Sequence, residues 1–235
     1  MKNIYKSDSR GKANLGWLKS FHTFSFGEYY NPDRMGFGKL RVFNDDEVDP
    51  SQGFGTHPHK DMEIISFPIS GSLLHKDSQG NEQFIHKGEV QIMSAGTGVF
   101  HSEYNASETE KAHFLQIWIL PKELQISPRY QQKKFEFIEN EWTLLVSPDG
   151  KRNSLVMNQD AHISYLKVNH SKHSIQLLAK NVDIKRGQFL FVIHGSIIYQ
   201  GDMFAQGDAV GLIDESDLDF HSQGISELLL IEVPL

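Results

Sequence analysis

An eight-residue pattern recurs in this chain with four of its positions identical. Phe67-Pro68-Ile69-Ser70-Gly71-Ser72-Leu73-Leu74 matches Phe191-Val192-Ile193-His194-Gly195-Ser196-Ile197-Ile198 at an offset of 124, and Lys87-Gly88-Glu89-Val90 matches Gln206-Gly207-Asp208-Ala209 at an offset of 119. Self-similarity over so long a period means one structural unit built twice. A hairpin shorter by five residues in the second copy accounts for the change of offset. Apolar and β-branched runs bounded by Gly, Asp, Asn and Ser recur along the chain, and no long segment keeps a helical period. The expected fold is therefore all-β, two tandem β-barrels. The polar stretch 122–145, with Pro128 and Lys133-Lys134, marks the junction, which divides the chain into 1–125 and 126–235.

Within the first copy the reading is a meander. Ile64 to His75 is strand-like, Asp77-Ser78-Gln79-Gly80-Asn81 is a hairpin turn by composition, and Glu89 to Met93 and Ala112 to Leu120 resume the strand pattern. Ahead of these, Phe24 and Phe26 alternate as strand residues with their rings on one face, either as core or as the wall of an aromatic pocket. His22 reads as a hydrogen-bonded core histidine, and Asn44-Asp45-Asp46-Glu47 as a turn.

Between these elements lies Gly53-Phe54-Gly55-Thr56-His57-Pro58-His59-Lys60-Asp61-Met62-Glu63. In a strand alternate side chains share a face, so His57 and His59 point the same way and form a ligand pair. With 12 His in 235 residues, chance alone places a His-x-His about 0.6 times, so the pair needs a complement. It comes at His101-Ser102-Glu103, after the glycine-punctuated Ala95-Gly96-Thr97-Gly98. The roughly 40 intervening residues allow several strands, and a barrel can fold His101 back onto His57. Transferred by the repeat, His57 and His59 fall on Asn181 and Asp183, and His101 and Glu103 on Phe220 and Ser222. The second barrel is expected to hold no metal.

Composition narrows the chemistry. There is no cysteine, so a metal here is held by His and carboxylate, without thiolates. The net charge of −7 argues against direct binding to a nucleic-acid backbone. No run approaches membrane-spanning length and no apolar leader follows Met1, so a cytoplasmic protein with no membrane partner is expected. After Arg186 there is no Lys or Arg, only Asp202, Asp208, Asp214, Glu215, Asp217, Asp219, Glu227 and Glu232. This acidic stretch reads as a solvated face, with docking of a protein partner as the alternative.

Several phrases together resemble the pirin family: Phe21 through Gly27, Leu40-Arg41-Val42, His57-Pro58-His59-x-Asp61-Met62-Glu63, His75-x-Asp77-Ser78-x-Gly80, Val90-Gln91-x-Met93-x-Ala95-Gly96, His101-x-Glu103 and Gln116-x-Trp118-Ile119. The same region resembles the wider cupin pattern His-x-His-x-x-x-Glu, with Ser94 where that pattern's second part has proline. The resemblance covers most of residues 15–120 and is carried more weakly by the second half. It implies a bicupin with one metal in the N-terminal barrel, ligated by His57, His59, His101 and Glu103, and quercetin 2,3-dioxygenase activity. Glu63, a ligand in many cupins, is by this resemblance a supporting residue. The implied metal is Fe(II), with Ni, Cu, Mn or Zn suited to the same donors. The implied partners are a flat aromatic substrate and dioxygen, with Glu103 as ligand and as the base that takes the flavonol 3-hydroxyl proton. Phe24, Phe26 and Phe54 are candidate pocket walls. The family also includes redox-responsive transcriptional co-regulators, the non-catalytic alternative.

Overall fold

The computed structural model describes residues 1–169, the backbone of 172–176, and residues 185–213, 215 and 217–235. Among these, strands form four sheets, two of seven strands and two of four. In the first half the seven-stranded sheet runs Arg129–Lys134, Glu89–Ser94, Glu63–Ser70, Ala112–Ile119, Leu40–Val48, Leu18–His22, Gly11–Asn14. The four-stranded sheet that faces it runs Gly53–His59, Val99–Asn105, Ser72–Asp77, Glu82–His86. The second half repeats this seven-plus-four arrangement, and its large sheet is centred on Arg186–His194 and Ile225–Pro234.

The repeat seen in the sequence is a repeat of backbone geometry. Gly71 (φ +72°) and Gly195 (φ +78°) turn equivalent strand pairs, and Gly88 (φ +85°) and Gly207 (φ +83°) equivalent hairpins, all in the left-handed region that favours glycine. The second hairpin, Ser196–Tyr199 with Asp202–Ala205, is the shorter one.

Each large sheet has one face on its own barrel and one on the other barrel. Ile65 and Ile117 lie in a single core cluster with Phe189, Leu229 and Ile231, and the Phe43 ring centroid stands 4.6 Å from that of Phe191. Ile64 and Trp118, one residue out of phase, pack inside the first barrel. Burial on both faces is why Glu63–Ser70 and Arg186–His194 read as nearly unbroken apolar runs.

Chain order and sheet membership part company at both ends of the first half. Lys2–Tyr5 pairs with the Ala209–Ile213 strand of the second barrel, and Arg129–Lys134 with Glu89–Ser94 of the first. The N-terminal strand is clamped by charge: Lys2 Nζ stands 2.6 Å from Asp202 Oδ2 and Lys6 Nζ 2.6 Å from Asp208 Oδ2. The acidic stretch after Arg186 is thus only partly a solvated face, since Asp208 and Glu232 are buried. Asp214, and the transferred positions Asn181 and Asp183, lie outside the described residues.

Two local expectations are corrected. Asn44–Glu47 belongs to the strand Leu40–Val48, where Asp45 is held by Arg10 and His113, Asp46 by Ser20, and Asn44 lines a cavity, contacts that outweigh turn propensity. The strand Leu18–His22 ends before Phe24. Phe24 consequently turns away into the core between the barrels, against Tyr5 and Phe189, and only Phe26 faces the first barrel's cavity. No helix among the described residues is long and apolar enough to cross a membrane.

Candidate metal centre

The two ligand pairs meet because Gly53–His59 and Val99–Asn105 are hydrogen-bonded neighbours, antiparallel, with His101 opposite His57 and Val99 opposite His59. A register shift between His101 and Glu103 places Glu103 opposite Phe54. The ring centroids of His57, His59 and His101 form a triangle with sides of 4.5, 4.8 and 4.8 Å, and their candidate ligand atoms all lie within 4.8 Å of one another. Nitrogens bonded at about 2.1 Å to one ion stand about 3–3.5 Å apart, so the rings would have to close in modestly to share one.

The tautomers suit that use. His57 Nδ1 stands 2.7 Å from the Gly55 carbonyl oxygen, to which its N–H donates, leaving Nε2 as the free donor atom. His101 is buried and neither ring nitrogen has a hydrogen-bond partner in the protein, a costly arrangement that a metal bond relieves. Burial, reinforced by the neighbouring imidazoles, pushes both His59 and His101 down to about 4, although Glu103 opposes this. Both rings are therefore neutral near pH 7, the form that binds metal.

Glu103 reaches from the small sheet to the large one. Its Oε2 accepts from Gln116 Nε2 at 2.6 Å, and its Oε1 lies 2.8 Å from Ser66 Oγ, which is also 3.0 Å from Gln116 Oε1. Burial raises the cost of ionising this carboxyl, but His101, His75, Ser66 and Gln116 outweigh it and hold it below its ordinary range. A carboxylate so held is a fixed negative charge beside the imidazoles. In the second barrel the repeat puts Leu190 where the first has Ser66, and Leu190 stands opposite Leu230 as Ser66 stands opposite Gln116. Among the described residues that barrel has no equivalent of the Ser66–Gln116 anchor.

His75 is a member of the cluster that sequence reasoning missed. His75, His101 and Glu103 form a second group whose candidate ligand atoms lie within 4.8 Å of one another, with His101 common to both groups. His75 is fully buried behind His101, and its Nε2 stands 3.0 Å from Asp77 Oδ2. The signal was present as an i, i+2 pair, His75-x-Asp77, on the strand beside His101-x-Glu103.

Glu63 lies on the opposite face of its strand from Ile64 and Ser66, and so looks away from the imidazoles. Its Oε2 accepts from Ser94 Oγ at 2.8 Å and from the Asn158 backbone N–H at 3.2 Å. It joins the first half to the second.

His57, His59 and Glu103 line a cavity of about 760 Å³. Phe26, Phe54, Trp17 and Trp118 supply aromatic walls; Trp118 meets both Phe26 and His59 edge-on, with centroids 5.3 and 4.8 Å away. His22 also lines it, and contrary to the expected hydrogen-bonded core role its Nδ1 has no partner in the protein. Asp46, within the misread Asn44–Glu47 segment, is a further lining residue: burial, with help from Asp45 and Glu103, pushes its carboxyl up to about 7 although it accepts from Ser20 Oγ.

Comparison with known proteins agrees with this architecture. The pirin family model matches residues 4–119, and the model of the quercetinase C-terminal cupin domain matches residues 144–233. A protein of Escherichia coli K12 named quercetin 2,3-dioxygenase is 43% identical over 231 residues, 98% of each chain. The crystal structure of YhhW from Escherichia coli has a TM-score of 0.94 at 42% identity, covering 100% of this chain and 98% of that one. The nickel(II) complex of the same bacterial pirin has a TM-score of 0.93 at 42% identity, covering 100% and 99%.

Proposed function

Because this chain belongs to the pirin family through both its halves, we propose that it is a metal-dependent dioxygenase that cleaves flavonols such as quercetin. His57, His59, His101 and Glu103 hold one divalent ion, and the division into a metal-binding barrel, 1–125, and a metal-free one, 126–235, is part of the same proposal. The observation that carries it is the convergence of three imidazoles and an anchored carboxylate beside an aromatic-lined cavity. Three nitrogens and an oxygen, without sulfur, suit Fe(II), our assignment, as well as Ni, Cu, Mn or Zn. When bound, the ion supplies Lewis acidity and the means for dioxygen to react.

The chain's own residues do the rest. Glu103 is ionised and immobilised by Ser66 and Gln116, so its remaining lone pairs are aimed before substrate arrives and can take the proton of the flavonol 3-hydroxyl. Phe26, Phe54, Trp17 and Trp118 offer flat apolar faces that orient a planar substrate and exclude water. The carbon of the central ring is released as carbon monoxide. Oxygen uptake and carbon monoxide release in equal amounts with quercetin test the proposal. Metal-loaded protein that binds quercetin without consuming oxygen would refute it.

A further inference from the structure

The cavity has a second polar surface that the chemistry above leaves unused. On adjacent strands, Ser20 stands opposite Asp46 and His22 opposite Asn44, so the four side chains share one face, and all four line the cavity. They are 2–4% exposed. Ser20 donates to Asp46, while His22 Nδ1 and Asn44 Oδ1 have no hydrogen-bond partner in the protein. Buried polar groups are as a rule paired, and here a ring nitrogen and an amide oxygen of two neighbouring residues that line the cavity have no such partner.

The position of this wall relative to the metal end follows from strand spacing. Asn44 is the cross-strand neighbour of Gln116, which holds Glu103. His22 is one strand further on, so two strand spacings, about 10 Å, separate Gln116 from His22. With both side chains reaching inward from that sheet, the wall faces an outer ring of a flavonol whose central-ring hydroxyl is directed at the metal end. Asp46 adds a group that both donates and accepts, since its carboxyl is pushed up to about 7 by burial and is partly protonated near neutral pH.

We propose that His22, Asn44, Asp46 and Ser20 form a subsite that recognises outer-ring hydroxyls of a flavonol whose 3-hydroxyl is directed at the metal. The wall makes the protein selective for flavonols hydroxylated on the outer rings over those hydroxylated only beside the metal. This rests on the flavonol reading above and assigns its specificity to residues outside the ligand set. A ligand lacking outer-ring hydroxyls leaves His22 and Asn44 unpaired in a dry wall, and sites of that kind discriminate strongly.

The test compares quercetin with 3-hydroxyflavone, which keeps the metal-directed hydroxyl and ketone and lacks every other hydroxyl. Binding to metal-loaded protein is read by quenching of the fluorescence of Trp17 and Trp118, and turnover separately by oxygen uptake. Wild-type protein is expected to bind quercetin about tenfold or more tightly than 3-hydroxyflavone. Asn44→Leu and, independently, His22→Phe, an apolar ring against Phe26, should each weaken quercetin about tenfold and leave 3-hydroxyflavone within about twofold. Metal content of one ion per chain checks that each variant is folded. Equal weakening of both ligands, or no preference in the wild type, overturns the subsite. Selective binding without oxygen uptake keeps the subsite and sinks the dioxygenase reading instead.

Discussion

Replacing Glu63 by alanine removes a carboxylate that receives two hydrogen bonds, from the Ser94 hydroxyl and the Asn158 backbone N–H. Both donors are left without that acceptor in a buried seam, at about 1–3 kcal/mol each. Because they share one acceptor atom the losses overlap, and the expected destabilisation is roughly 2–4 kcal/mol. Glu63→Gln should behave differently. Burial pushes the Glu63 carboxyl up, against the hydrogen bonds from Asn158 and Ser94 and the charge of Arg129. A carboxyl raised above its unfolded value contributes stability that is fully present below the unfolded value of about 4.3 and is lost as pH rises through the folded one. At neutral pH the amide oxygen accepts both bonds without a buried charge, so Glu63→Gln should be at least as stable as wild type, with its advantage growing as pH rises from about 4. Urea unfolding of chelator-treated protein across pH measures this free of metal linkage. Metal content, read in parallel on loaded protein, should stay at one ion per chain in both variants. Loss of metal from Glu63→Ala at unchanged apo stability would refute the reasoning and return Glu63 to the ligand set.

Two further outcomes follow from the same geometry. Gln116→Leu withdraws the 2.6 Å hydrogen bond to Glu103 Oε2, and competitive metal titration should read an affinity about 10–100-fold weaker; an unchanged affinity would mean that Glu103 needs no support. His113 Nε2 stands 2.5 Å from Asp45 Oδ1, and although burial lowers it, the hydrogen bond and charge of Asp45 raise it overall. The stability this pair contributes is fully present below the unfolded value of about 6.5 and falls away as pH climbs through the raised folded value. His113→Gln should lose that part of the slope in pH-dependent unfolding, and a slope identical to wild type would count against the pairing.

The convergence of His57, His59, His101 and Glu103 was legible because it is local arithmetic: in a strand, i and i+2 share a face, and two such pairs on neighbouring strands meet. The two-barrel fold was legible in the repeat, which the matched left-handed glycines Gly71 and Gly195 express in backbone form. What escaped depended on neighbours distant in the chain. Asn44-Asp45-Asp46-Glu47 has turn composition, yet Asp45 is held by Arg10 and His113 and Asp46 by Ser20. Phe24 and Phe26 obey alternation only if the strand continues, and it stops at His22. The capture of Lys2–Tyr5 by the second barrel follows from charge, since the lysine-free region after Arg186 receives Lys2 and Lys6, but local periodicity carries no trace of it. His75 was quoted as motif and left without a role, because its partners His101 and Glu103 come from the next strand.

The central claim is that the triangle of His57, His59 and His101, with Glu103, is what holds the ion. His57 is half-buried at the edge of the small sheet, so His57→Ala removes one donor with little demand on the core. The decisive measurement is the metal content of this variant beside wild type after loading with Fe(II) under anaerobic conditions and gel filtration. Wild type should carry one ion per chain and His57→Ala far less than one. A variant that elutes with a full equivalent of metal would contradict the account.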